Sequence, residues 1–122
     1  MPIRDRKDDL LTVLSIGRDA SMRGEGISLW DALSRSGYAD IRPEINADDL
    51  IAELKSNADL VADWVMYSED KRTDGGWYIL SEKREIGRLG ENPIAVTFDT
   101  LEEAVAYYVL HELDFWVKLN AS

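Results

Sequence analysis

The sequence predicts an α+β fold in one small domain, residues 1–122: several N-terminal helices, a three-stranded antiparallel meander and a long buried C-terminal helix. Three observations carry this. Apolar residues recur at helical spacing up to about residue 70. Three short strand-like runs then follow, separated by glycine-rich or charged turns. From Leu101 onward the pattern is helical again and apolar over most of the helix circumference.

The elements follow in order. A first helix is expected from about Asp5 to Asp19, with Leu10, Leu11 and Leu14 on one face, broken by Gly24 and Gly26. Those glycines lack the Gly-Lys-Ser/Thr of a phosphate loop and the third glycine of a dinucleotide fingerprint. A second helix runs from Ser28 as N-cap through Leu29, Trp30 and Leu33 to Ser36, with Gly37 as C-cap. Tyr38 to Ile45, containing Pro43, reads as a loop. Asn46 then caps a third helix whose buried stripe is Leu50, Ile51 and Leu54, with Ile45 stapled onto Leu50. Ser56-Asn57 ends it, and Asn57 can cap the next.

The fourth helix carries Leu60, Val61, Trp64, Val65 and Ser68 on one arc, with Ala62, Asp63, Met66, Glu69 and Asp70 opposite, and ends near Asp70. Thr73 to Gly76 is a turn. Trp77 to Ser81 reads as a central strand, because both of its faces are apolar. Arg84 to Leu89 and Ile94 to Phe98 complete the meander. Asp99 or Thr100, each with a glutamate three residues on, caps the last helix, which runs to about Leu119. Its polar stripe is Glu103, Tyr107, His111, Asp114 and Lys118. A helix this apolar is either the central helix of the fold or half of a homodimer contact, and the sequence leaves both open.

Composition narrows the function. The chain has 122 residues, no cysteine and a net charge of −10. A chain of this length buries roughly 65% of its unfolded surface and needs no disulfide staple. Without cysteine, thiolate zinc sites and cysteine nucleophiles are excluded. The N-terminus lacks a signal-peptide pattern and no apolar run reaches the length of a membrane span, so a cytoplasmic protein is expected. The charge is uneven: residues 1–46 hold 7 Lys/Arg and 8 Asp/Glu, residues 47–122 hold 7 and 16. An acidic domain repels phosphate backbones and attracts basic partners, so a basic protein is the expected partner and nucleic acid is not.

One constellation stands out as a binding site: Tyr67, Ser68, Glu69, Asp70, Lys71 and Arg72, followed by Trp77. Arg72 and Lys71 can bind a carboxylate or phosphate beside an aromatic wall, while Glu69 and Asp70 can face a basic partner. The plainer reading is that these charges pair at a helix C-terminus, where cations are favoured. His111, the single histidine, shares a stripe with Asp114, an arrangement that can orient a general base but also a plain surface pair. No catalytic constellation accompanies it, and one histidine is too few for a zinc site. Glu102 and Glu112 fall in the apolar arc of the last helix and need donors there, for which Arg72, Arg84 or Arg88 are candidates. A small-ligand pocket around Tyr67, Arg72, Trp77 and Glu112 is the alternative to protein binding. No cofactor is expected.

The string from Trp64 through Tyr67-Ser68-Glu69-Asp70-Lys71-Arg72 to Thr73, followed by Gly76-Trp77-Tyr78-Ile79, resembles a motif of small uncharacterised bacterial proteins. The later Ala104-Val105-Ala106-Tyr107-Tyr108 and Glu112-Leu113-Asp114-Phe115-Trp116 fit the same pattern. In size, acidity and α+β make-up the chain is similar to the immunity proteins of bacterial toxin systems. The resemblance implies a protein that binds and blocks a toxin and has no active site.

Overall fold

A computed structural model describes residues 6–16, 33–34, 36–71, 77–88 and 93–121. The elements are α1 (Arg6–Leu14), α2 (Tyr38–Ile41) continued by a 3-10 turn (Arg42–Glu44), α3 (Ala47–Ser56) and α4 (Ala58–Lys71). After them come β1 (Tyr78–Leu80), a 3-10 turn (Ser81–Lys83), β2 (Glu85–Arg88), β3 (Ile94–Thr97) and α5 (Leu101–Ala121). The fold is α+β, with the antiparallel meander in the order β1-β2-β3. Trp30, the second helix before Leu33, and the turns around Gly24, Gly75 and Gly90 lie outside the described residues.

The C-terminal helix is the centre of the molecule. It packs against α3, α4, β1 and β2. Ala104, Val105, Ala106, Tyr108, Val109 and Leu113 are fully buried along it, whereas Tyr107, His111 and Lys118 of the expected polar stripe are exposed. Its start is set by Thr100, whose Oγ1 accepts from the Glu103 N–H at 3.2 Å and donates to Glu103 Oε1 at 3.0 Å. Asn46 caps α3 as expected, its Oδ1 accepting from the Asp49 N–H at 2.9 Å. Trp64 ties α4 to α1: its Nε1 donates to the Leu14 carbonyl at 2.8 Å, satisfying an acceptor at the end of that helix.

Several expectations are corrected. Tyr38 to Ile45 is not a loop but α2 and its 3-10 turn. Gly37, at φ +72°, stops the preceding turn in a left-handed conformation that glycine adopts without steric cost, and its carbonyl accepts from Asp40 and Ile41. Tyr38, Ile41 and Ile45 are buried, which supplies the apolar drive the loop reading missed. Asn57 does not cap α4 with its side chain; its Nδ2 donates backward to the Glu53 carbonyl at 2.8 Å. Asp63 is not on an exposed face but fully buried. The first strand is shorter than Trp77 to Ser81 and lies at the sheet edge rather than its centre; Ile79 is buried and Leu80 exposed.

Pairing fixes which backbone groups point where. Tyr78 faces Gly87, Ile79 faces Ile86 and Leu80 faces Glu85; Ile86 faces Val96 and Arg88 faces Ile94. Ile79, Ile86, Val96 and Ile94 therefore share the face turned toward α5, and Tyr78, Leu80, Glu85 and Gly87 share the other. On that second face the Tyr78 ring lies over Gly87, where a Cβ would collide with it and with the Ile94 carbonyl. The Tyr78 hydroxyl donates to Glu85 Oε2 at 2.9 Å.

Candidate functional site

Three of the seven residues read as a binding site are brought together around Glu112. Tyr67 donates its hydroxyl to Glu112 Oε2 at 2.8 Å, and the Trp77 N–H donates to Oε1 at 2.7 Å. Ser68 Oγ accepts from the Ile79 N–H at 3.1 Å. The side chains of Glu69, Asp70 and Lys71, and the whole of Arg72, lie outside the described residues.

Helical spacing explains the cluster. On α4, Trp64, Tyr67 and Ser68 stand at i, i+3 and i+4 and all face inward; on α5, Tyr108 and Glu112 stand at i and i+4. Trp64 meets the Tyr67 and Tyr108 rings edge-on, at centroid distances of 5.6 and 6.2 Å. That aromatic floor places two phenols beside one carboxylate. Burial raises the pKa of Tyr67 well above its ordinary value, and the charge of Glu112, the neighbouring Tyr108 and the hydrogen bond to Glu112 raise it further. Tyr108 is raised by burial first and then by Glu112. Both phenols are therefore neutral at physiological pH.

The arrangement has a clear structural task. In an antiparallel edge strand alternate N–H groups point away from the sheet. Those of Trp77 and Ile79 point away from β2 toward α4 and α5, and Glu112 and Ser68 accept them as a neighbouring strand would. Two side chains on two helices thus close one edge of the sheet. Glu112 is fully buried and both of its oxygens are engaged, so it is placed to hold the sheet. Two signals of this stood in the sequence: Ser68, a hydroxyl on an otherwise apolar helix face, and Glu112, a carboxylate in the apolar arc of the last helix.

His111 lies at the surface with its ring stacked on Trp77, centroids 4.3 Å apart and planes 16° from parallel. The expected pairing with Asp114 is replaced by another: Asp114 Oδ1 accepts from the Tyr38 hydroxyl at 2.7 Å and from Arg42 Nε at 3.1 Å. Partial burial lowers the His111 pKa, Asp114 opposes the shift and Arg42 adds to it. Arg84 and Arg88, candidate donors to the acids of α5, are exposed; Arg88 lies over the Phe115 ring at 4.9 Å. Glu102 is half-buried.

Among the hollows lined by described residues, two of about 370 Å³ each flank α4, one lined by Ser15, Asn57 and Leu60, the other by Val61, Val65 and Leu101. Neither is lined by Tyr67, Trp77 or Glu112. Among the described residues no group of three or more histidine or acidic side chains is placed to hold a metal ion, and no helix is long and apolar enough to cross a membrane. The chain matches no protein-family model, no curated protein and no solved structure.

Proposed function

We propose that this chain is a non-enzymatic acidic module that binds a basic protein, in its most specific form an immunity-type inhibitor that covers a cationic face of a toxin. The carrying observation is the charge: −10 overall, with 16 acidic against 7 basic residues after residue 46. Part of that excess is at the surface of α3 and α4, where Asp48 and Asp59 are exposed and Asp49 and Glu53 half-exposed. Asp63 is not part of this surface because it is buried. Glu69 and Asp70 add to the acidic excess, and their side chains lie outside the described residues. The ligand-pocket reading has less support, since Tyr67 and the Trp77 N–H are already spent on Glu112.

Complementary charge acts mainly on the association rate and its salt dependence. The test is capture of the tagged chain's partners from lysate of its native host, at low and at raised salt. One basic protein at near-stoichiometric yield, released by salt, is the expected result. Charge reversal at Asp48 and Asp59, and separately at Glu69 and Asp70, should slow its association and flatten the salt slope. Captured partners that bind every such variant as tightly as the unaltered chain would sink the acidic-surface reading.

A further inference from the structure

The apolar hollow beside α4 gathers side chains that helical periodicity divides between two faces. Val61 and Val65 belong to the expected buried arc, and Ala62 and Met66 to the face opposite. In the structure all four line one hollow of about 370 Å³, together with Ser81 of the 3-10 turn and Leu101 from the first turn of α5. Positions 61 and 65, and beside them 62 and 66, form two neighbouring rows on the helix. Val61 is buried, Val65, Met66 and Leu101 are half-buried, and Ala62 is exposed. Met66 is unbranched and adapts its shape to whatever lies against it.

The chain around this hollow is acidic. Asp59, Glu82, Asp99, Glu102 and Glu103 stand within two residues of a lining residue, and all are exposed or half-buried. The bases nearest along the chain are Lys83, then Lys55 and Arg84, and the balance stays negative with all three counted. A desolvated apolar centre inside a charged rim is the build of a protein-binding surface: the centre carries most of the binding energy and the rim steers the approach. The sign of the rim selects the occupant. It repels the carboxylate of a fatty acid, an anionic membrane surface and a second copy of a chain at −10, and it attracts a cationic segment.

We propose that the hollow between α4 and the start of α5 seats an apolar side chain of a cationic protein segment, whose flanking lysine or arginine residues face the acidic rim. This rests on the acidic-module reading and supplies it with an anchor point.

The test uses the full chain, methyl-labelled for NMR, and a short peptide in which leucines recur every third or fourth residue among lysines. One control peptide carries glutamate in place of lysine, and the other serine in place of leucine. The expected result is that the leucine–lysine peptide shifts the methyl resonances of Val61, Val65, Met66 and Leu101, and that neither control does. Ala62→Met fills the hollow from an exposed helical position without changing the charge. It should weaken the leucine–lysine peptide by about tenfold, because the leucine loses most of its burial. Should that variant fold poorly, the methyl shifts of the unaltered chain still decide the matter. Shifts confined to α3, no shifts at all, or unchanged affinity in a folded Ala62→Met would overturn the seat. Equal shifts from the glutamate peptide would overturn the charge selection, and equal shifts from the serine peptide the apolar anchor. Concentration-dependent shifts of the same methyls without peptide would make a second copy the occupant and overturn the proposal. If a basic partner captured from lysate binds Ala62→Met as tightly as the unaltered chain, the module reading survives and this one fails. Capture of no basic partner beside the expected peptide shifts would sink the module reading and keep the seat.

Discussion

Glu112 shows how much one side chain can hold. Its carboxylate joins α4, α5 and the start of the sheet, and removing it leaves the Tyr67 hydroxyl and the Trp77 N–H buried without that acceptor. Glu112→Ala should lower stability by about 3 kcal/mol, from lost hydrogen bonds and a residual cavity. Glu112→Gln keeps the shape and one acceptor oxygen and should cost about 1–2 kcal/mol, as should Tyr67→Phe. The pair Tyr67→Phe with Glu112→Gln should cost less than the sum, because both remove the same bond. Urea melts of the four variants check the order; additive losses would show that the two side chains are not coupled. His111 offers a second test at this scale. Its folded pKa lies below the ordinary 6.5, so as pH falls the unfolded chain takes up the proton first. Stability from this group is therefore present above about pH 6.5 and is lost as pH falls through that value, levelling off below the depressed folded pKa. Thermal melts between about pH 8 and pH 5 should fall more steeply for the unaltered chain than for His111→Gln. Parallel curves would mean that partial burial of the ring does not disfavour its charged form.

At the scale of elements, the glycines separate two kinds of requirement. Gly37 needs only its left-handed backbone, since nothing lies within 4 Å of an added Cβ. Gly37→Ala should cost about 1 kcal/mol. Gly87 has an ordinary backbone but no room, with the Tyr78 ring and the Ile94 carbonyl in the way. Gly87→Ala should cost more, about 2 kcal/mol, and should loosen the β2–β3 pairing, visible as faster amide exchange at Ile94 and Val96. Equal costs for the two substitutions would contradict this division. The same contrast marks what was legible in the sequence. Caps are local chemistry: Asn46 caps α3 as expected, and Thr100 is the one of the two residues offered, Asp99 or Thr100, that caps α5, because the information sits within a few residues. The central helix was legible as a wide apolar arc, but its role was not, because burial by the same chain and burial by a second copy leave the same pattern. Tyr38 to Ile45 misread as a loop because Pro43 masked a turn whose formation is driven by burying Tyr38 and Ile41 against distant elements. β1 misread as central because an edge closed by Ser68 and Glu112 permits apolar residues on both faces of a strand. That closure joins residues 68, 77, 79 and 112, and no local window contains them.

At the scale of the whole molecule, charge and the open edge act against each other. The net charge of −10 makes copies repel near neutral pH, and this repulsion opposes strand pairing at β3, which carries no charged residue and, among the described residues, has no strand on its outer edge. The protection vanishes near the isoelectric point, about 4.5, where enough carboxylates have been protonated to balance the basic residues and the net charge is gone. Aggregation near that pH should then proceed through β3 in particular. Val96→Lys places a charge on the exposed edge, while Ala52→Lys places the same charge on an exposed position of α3. Both variants shift the isoelectric point equally, so each is measured at its own. Turbidity should fall strongly for Val96→Lys and little for Ala52→Lys, because only the first blocks strand pairing. Equal suppression would mean that net charge alone governs association and that the β3 edge is not the contact.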